Sequence, residues 1–531
     1  MAGEVGDRAV EHLRRATARY PPAALATVGV ALLAGVALRV WVLASPLGAA
    51  DLDEATVGLQ AQAFLDGRFE AFFRGQDYGG TAETGLVALV FAVLGPGRVA
   101  LKLVPATLHL VACTVVWRVA CRLSCTVLGQ LAPPVLLWLG PAYGVWHSTK
   151  ERGFIGVGII LSALVLLLVL RLDRSPATGD VALLGLVLGL SAWTTPLLAA
   201  TVLPPVGWLA VRRPALWRLA PRAVGPALVG AAPWLAWNVR NGWASLDAPP
   251  GFGSTWFGRL GDWTGRLTTI TGFATPYDPG RRLLPQALAL AVLVVLLALA
   301  TRATRRTGPG LLATVVLGFG VLQSFNGLAI AVGPDPRYLY PLLPALALTV
   351  GMALAPVGRP GRPAVVELGA VAAAALLLSV WGVAGFVAVA DDPRPPGFVA
   401  SPGVEDVVAL LEDRGVDAVT TDVAGHQITF ASDGEIAAST YGVPRFDDVE
   451  RAAARRGRCT YVMRSGRLGG DEVQALVDHL RRHDVGLERR QVGAFTVLFL
   501  DEPVRPSDVP LAVFGGAAEP STIEPQPCPS P

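Results

Sequence analysis

Apolar runs of membrane-spanning length, separated by short polar loops, fill most of residues 22–390. A helix needs about 20 apolar residues to cross a hydrocarbon core. The pattern predicts about eleven spans on that basis. They lie at 22–45, 98–121, 126–146, 153–171, 181–194, 196–211, 223–240, 284–301, 309–332, 338–357 and 364–390. Trp193-Thr194-Thr195-Pro196 divides the short fifth and sixth, which could also be one long broken helix. The first run follows Arg8 to Arg19 and is too long for a cleavable signal, so it reads as a span.

Loop charge sets the sidedness. Arg14, Arg15, Arg19, Arg118, Arg122, Arg171, Arg174, Arg212, Arg213, Arg218, Arg302, Arg305, Arg306, Arg359 and Arg362 fall on one side of the alternating spans. Arginine-rich short loops stay in the cytoplasm, which places residues 1–21 inside. The opposite loops carry Asp51, Asp53, Glu54, Asp77, Glu83, Asp247, Asp262 and Asp335. An odd number of spans puts the chain beyond residue 391 outside.

Two outer loops, 46–97 and 241–283, are too long to be simple connectors. In the first, Ala55, Leu59, Ala63 and Phe64 recur at helical spacing, predicting an amphipathic helix on the membrane surface. A second, apolar helix is expected at 85–94. In the second loop Trp243, Trp256, Trp263 and Tyr277 suit the aromatic belt of the interface.

After residue 390 the pattern changes. Helical runs from Pro402 (capped by Ser401) and at 445–456 and 471–483 alternate with β-like runs at 417–421, 434–439, 459–463 and 494–500. That alternation predicts a small α/β layer over 391–505. The Pro/Ser/Ala-rich residues 506–531 read as a disordered tail. The fold class is therefore an α-helical polytopic membrane protein with a C-terminal extracytoplasmic α/β domain.

Composition agrees. Of 531 residues, 52% are hydrophobic and 16% charged, against roughly 25% charge in soluble domains. A net charge of +3 is no nucleic-acid footprint. Only Lys102 and Lys150 are lysines; with abundant Ala, Gly, Val and Pro, this composition points to a GC-rich bacterial source. Five cysteines are too few for a disulfide scaffold, though Cys459 and Cys528 could pair if both lie outside the cell.

Four clusters could carry chemistry. Asp51-Leu52-Asp53-Glu54 opens the first outer loop. Acids suit a helix start, but crowded, partly buried carboxylates also suit a base or a metal ligand. Gly75-Gln76-Asp77-Tyr78-Gly79-Gly80-Thr81-Ala82-Glu83 offers tight turns and hydroxyl-binding groups; a lone Glu83 in an apolar run is costly unless used. His147-Ser148-Thr149-Lys150-Glu151-Arg152 puts cations on the outer face, against the charge rule, as an anionic lipid headgroup would require; pairing of Lys150 with an acid such as Glu151 is the plainer alternative. Asp335-Pro336-Arg337-Tyr338-Leu339-Tyr340 adds another outer cation, with the tyrosines also suited to the interface.

With these motifs the chain resembles the glycosyltransferase C superfamily, near the protein O-mannosyltransferases and lipid A aminoarabinose transferases. DLDEATVGLQAQAFLDGR, GQDYGGTAETGLVALVFAVLGPGRVALKLVP, STKERGF, PWLAWNVRNGW and DPRYLYPLLP carry the resemblance, over roughly residues 25–360. It implies a sugar donor on a polyprenyl phosphate, with Asp53 matching the catalytic aspartate and Glu54 its neighbour. It implies donor-phosphate contacts from Lys150, Arg152 and Arg337 and a second carboxylate at Glu83; beside them Tyr338 is a candidate for the phosphate, and Gln76, Asp77, Tyr78 and Glu83 for the sugar or acceptor. Asp51, Asp53 and Glu83 could ligate a divalent metal. The GGTAET stretch replaces a paired-proline segment common in the family.

The expectation is an inverting transfer to an envelope glycan, lipid or protein hydroxyl on the outer face of a bacterial plasma membrane. The rivals are a lipid-linked-sugar flippase, for which Arg39, His109 and Glu367 are the polar candidates in or near spans, and a non-catalytic envelope assembly protein.

Overall fold

The fold comes from a computed structural model. It describes residues 20–246, 255–272, 283–325, 336–357, 364–390, 403–421, 424–440, 445–464, 472–509 and 526–528. Six helices are long and apolar enough to cross a membrane: Pro22–Ala44, Arg98–Leu123, Ile155–Arg174, Leu284–Ala303, Arg337–Leu354 and Ala364–Ala388. Shorter apolar helices, Ala82–Leu94, Val127–Leu139, Thr178–Thr194, Pro196–Arg212 and Leu311–Gln323, pack among them. The chain is an integral membrane protein.

Proline and glycine decide where the expected spans break. The predicted run 126–146 divides at Gly140 into Val127–Leu139 and Ala142–His147, because Gly140 takes a positive φ and Pro141 starts the next helix. The run 223–240 divides into Pro221–Gly230 and Ala232–Arg240. The fifth and sixth runs are separate helices, since Thr195 is extended before Pro196. Thr178–Thr194 then packs backbone to backbone against Pro221–Gly230. Gly185, Gly189 and Gly230 leave no room for a Cβ there, the small-residue contact that lets membrane helices approach.

The arginine-rich ends of the bundle meet two acids. Asp173 accepts from Arg212 (3.3 Å) and Arg213 (3.0 Å), and Asp180 from Arg171 (2.6 Å). Within the spans, His109 and Arg39 find local partners. His109 Nδ1 lies 2.6 Å from the Tyr340 hydroxyl, and its Nε2 lies 2.9 Å from the Leu137 carbonyl. Arg39 donates to the carbonyls of Gly35 and Trp138 and stacks its guanidinium on the Trp138 ring.

The segment 46–97 differs from its expected form. The acidic helix, Leu52–Leu65, does not present one apolar face: Ala55, Thr56, Val57, Gly58, Gln60, Ala61, Ala63 and Phe64 are all buried. Small residues occur all round it, so it can be enclosed from several sides rather than presenting one apolar face. In the second outer segment a helix forms over Trp256–Ile270. Its Trp263 is buried against Gly320 instead of facing the interface, and Tyr277 lies outside the described residues.

The C-terminal domain is a five-stranded sheet ordered β2-β1-β3-β5-β4. Its strands are β1 (Ala418–Thr421), β2 (Ala437–Thr440), β3 (Thr460–Arg464), β4 (Leu487–Val492) and β5 (Phe495–Leu500). β2, β1 and β3 are parallel; β3, β5 and β4 are antiparallel. Alternate side chains feed two cores: Val462 and Val497 join Val407, Leu411 and Ile428, whereas Tyr461, Met463 and Leu498 join Leu476 and Leu480. β4 was not foreseen; it is an edge strand whose Glu488, Arg489, Arg490 and Gln491 are exposed, so it carries no alternating apolar signal. The first helix is Val404–Asp413, with the left-handed Gly403 before it; Ser401 and Pro402 lie outside the described residues.

The tail departs from the expected disorder where it is described. Pro506–Asp508 forms a turn, Val509 packs into the second core, and Cys528 is disulfide-bonded to Cys459. That bond closes a separation of 69 residues. Its loss should lower the domain's stability by about 2–4 kcal/mol through the freed unfolded chain. Denaturant unfolding of Cys459→Ser beside the parent protein measures this, and an unchanged midpoint would contradict it.

Candidate active site

The first acidic motif is a helix start before it is anything else. Asp51 caps Leu52–Leu65: its Oδ1 accepts from the backbone N–H groups of Asp53 and Glu54, each at 3.1 Å. Glu54 Oε2 reaches back to the Asp51 N–H at 3.2 Å, completing a capping box. Successive helical residues point about 100° apart. Asp53 and Glu54, though adjacent, therefore meet different neighbours.

The STKER segment closes over these acids. Lys150 Nζ contacts Asp51 Oδ2 (2.9 Å) and Glu54 Oε2 (3.1 Å), rather than Glu151. Arg152 bridges Asp51 (2.8 Å) and Asp53 (3.0 Å). Gly153 turns the chain with φ +78°, and a Cβ there would lie 2.9 Å from the Phe73 ring. Lys102, from the helix Arg98–Leu123, pairs with Glu54 Oε1. Arg337 reaches Asp53 Oδ2 at 2.9 Å, and its guanidinium lies over the Tyr338 ring. Arg445, from the C-terminal domain, reaches Asp53 Oδ1 at 3.3 Å.

The three acids differ in access. Glu54 is fully buried, the Asp51 side chain is 10% exposed and that of Asp53 is 21% exposed. Burial pushes the Asp53 carboxyl up, but Arg337, Arg152 and Arg445 outweigh it and hold the group below the usual aspartate value. Burial also opposes ionisation of Asp51, and Arg152 and Lys150 overrule it. Lys150 is held charged by Asp51 and Glu54 against the same burial.

A second acid pair lies beneath. Glu83 is buried in the first turn of Ala82–Leu94, and its Oε2 accepts from the Val157 N–H at 2.8 Å. Glu151 faces it; burial and the Glu83 charge push the Glu151 carboxyl well above its usual value. The Glu151 N–H donates to Glu54 Oε1 at 3.2 Å, linking this pair to the first cluster.

The structure brings together Asp51, Asp53, Glu54, Lys150, Arg152 and Arg337, contributed by three distant segments. Tyr78 stands at the rim, its ring edge-on to Phe154. Gly79 makes this turn with φ +84°. Gln76 is half-buried nearby, whereas Asp77 is exposed and outside the cluster. Asp335 lies outside the described residues. His147, stacked on Tyr143, is neutral because burial and the surrounding Arg152 and Arg337 oppose its charge.

Sequence reasoning gave no site role to Lys102, Thr56, His426 and Arg445, and offered Glu151 only as a partner for Lys150. One signal was available: both lysines of an otherwise arginine-based chain are in this cluster, and Lys102 lies inside an apolar run.

The donor set does not fit a resident metal. Both Asp51 oxygens and both Asp53 oxygens are already engaged by cations or backbone N–H groups, and Glu83 Oε2 accepts from Val157, whereas Glu83 Oε1 and Glu151 Oε2 are buried without a hydrogen-bond partner. Among the described residues no three His, Cys, Asp or Glu side chains are grouped to hold an ion.

No protein-family profile matches the chain, and no curated protein sequence matches it. Among solved structures it is similar to ArnT from Cupriavidus metallidurans, in the apo state and bound to undecaprenyl phosphate. Both superpose with a TM-score of 0.60 at 14% identity, covering 89% of this chain and 98% and 97% of theirs. The chain therefore shares the fold of ArnT.

Proposed function

We propose that this protein is a membrane glycosyltransferase that moves a sugar from a polyprenyl-phosphate donor to an acceptor hydroxyl at the outer face of a bacterial plasma membrane. One observation carries the reading: Asp53, the most open of three clustered acids, is ringed by three arginines. Five cationic side chains, Lys102, Lys150, Arg152, Arg337 and Arg445, converge on the carboxylates of Asp51, Asp53 and Glu54. Cations gathered in a poorly hydrated site suit an anion. The phosphodiester of a polyprenyl-phosphate sugar supplies one, and the undecaprenyl phosphate bound to ArnT is the matching monoester that transfer would release.

The reaction is a single displacement. The acceptor oxygen bonds to the anomeric carbon as the bond to the phosphate oxygen breaks, inverting the centre. Asp53 takes the acceptor's proton, and the released polyprenyl phosphate takes the electron pair. Arg337 and Arg152 hold the charge that develops there. Glu54 is a positioning residue, because its oxygens are fully used in the capping box and on the two lysines. Tyr338, Tyr78 and Gln76 line the sugar side.

A carboxylate bound by three arginines is a poor base. The donor corrects this: its phosphate draws guanidinium groups away and lets the Asp53 pKa rise toward a useful value. The flippase reading lacks such support, since His109 and Arg39 are engaged by local partners.

The test is transfer by the purified protein from radiolabelled undecaprenyl-phosphate sugars in detergent, followed as released undecaprenyl phosphate; no release with any donor would defeat the proposal. The pH profile adds a second check. Because Asp53 in the free enzyme is held below the ordinary value of about 4, kcat/KM should stay level as pH falls to about 5. Arg337→Ala removes part of that restraint and should move the acid limb upward. A limb that stays in place would detach Arg337 from the base.

A further inference from the structure

The C-terminal domain sits on the acidic helix through matched contacts. His426 Nδ1 lies 3.3 Å from the Thr56 hydroxyl, and Gln62 donates to Asp433. Phe430 stacks on Phe91, with ring centroids 6.2 Å apart and an interplanar angle of 17°. It also closes over Gly58, where a Cβ could not fit. At the periphery Arg98 pairs with Glu405 at 3.1 Å. The His426 imidazole is pushed down to about 3 by burial and by Arg445, so it serves as a neutral hydrogen-bonding group.

The orientation of the sheet gives these contacts meaning. Gly425–Ala431 follows the carboxyl end of β1, and Arg445 follows the carboxyl end of β2. In α/β sheets ligands bind outside the carboxyl ends of the parallel strands. Here that edge is turned toward Asp53. Arg445 donates from Nη1 to Thr56 (3.1 Å) and Asp53 (3.3 Å), and its guanidinium lies over the Phe73 ring at 4.9 Å. Its stem crosses Gly75, where a Cβ would come within 2.9 Å. The side chain is 10% exposed, so the charge is held at the lip of the site and not in bulk solvent.

From this geometry we infer that Arg445 is an anion-binding residue of the donor site, so that the C-terminal domain forms part of the headgroup pocket. The inference rests on the polyprenyl-phosphate reading above. In the ligand-free protein Arg445 occupies Asp53 Oδ1, the oxygen that neither Arg152 nor Arg337 contacts at close range. A phosphate arriving beside Asp53 offers the guanidinium a stronger, two-point partner. Arg445 then turns to the headgroup and releases that oxygen to accept the acceptor's proton.

The test is binding of undecaprenyl phosphate, with undecaprenol as the neutral control, to the full-length protein in detergent. Wild type should prefer the phosphate. Arg445→Ala should weaken phosphate binding at least tenfold and leave undecaprenol unchanged. Arg451→Ala, an exposed arginine of the same domain, should bind both as wild type does. If wild type does not distinguish the two lipids, the donor assignment itself fails. If wild type distinguishes them and Arg445→Ala binds phosphate equally well, the role of Arg445 is overturned. Should Arg445→Ala not yield a monodisperse protein, Arg445→Lys decides. It keeps the charge but loses the two-nitrogen fork, so a severalfold loss is expected and wild-type affinity would refute the inference.

Discussion

Asp53→Asn should lower sugar transfer by about 10²–10⁴-fold, the range of a lost general base, while the protein still inserts and folds. The helix start does not depend on this residue, because Asp51 and Glu54 form the cap. The amide keeps the side chain's size and removes one negative charge from among Arg152, Arg337 and Arg445. Those arginines become more available to an anion, so undecaprenyl phosphate should bind as tightly as before or tighter. The expected signature is a collapse of kcat with no loss of donor affinity. It can be read from single-turnover transfer and lipid binding on the same preparation. Full turnover by a well-folded variant would remove Asp53 as base.

Glu54→Ala should destabilise the protein itself, by about 3–5 kcal/mol, the cost of orphaning buried charge. Glu54 is fully buried between Lys102 and Lys150, neither of which has exposed side-chain surface. Removing the carboxylate leaves Lys102 without its ion-pair partner and the cap without its reciprocal bond. Thermal unfolding in detergent measures the loss. A second substitution, Lys102→Met, removes the orphaned cation and should restore part of the stability. If the double variant is no more stable than Glu54→Ala, the pair is not what holds this helix in place.

These two neighbours explain how far the site could be read from the chain alone. The DLDE motif was legible both as a helix start and as a reactive acid cluster, and both descriptions apply because the helix directs Asp53 and Glu54 apart. Lys150, Arg152 and Arg337 were legible because cations on an outer face break the arginine rule. Lys102 was hidden by its surroundings: inside an apolar run one lysine barely alters the span pattern, and its partner is 48 positions away. Arg445 was hidden by distance, since nothing local marks one arginine among many as the partner of Asp53. The α/β domain was foreseen wherever its strands alternate or run apolar. It was missed at β4, where the exposed charges of an edge strand resemble a loop.

Asp53 and Arg445 are 392 positions apart. During synthesis the acid therefore emerges long before the arginine that completes its ring. A ribosome paused after the last bundle helix, Ala364–Val389, and before Arg445 leaves the bundle laid into the bilayer with the mouth of the site unroofed. A nonsense mutation in that interval should behave in the same way, as a null allele whose product is still found in the membrane fraction.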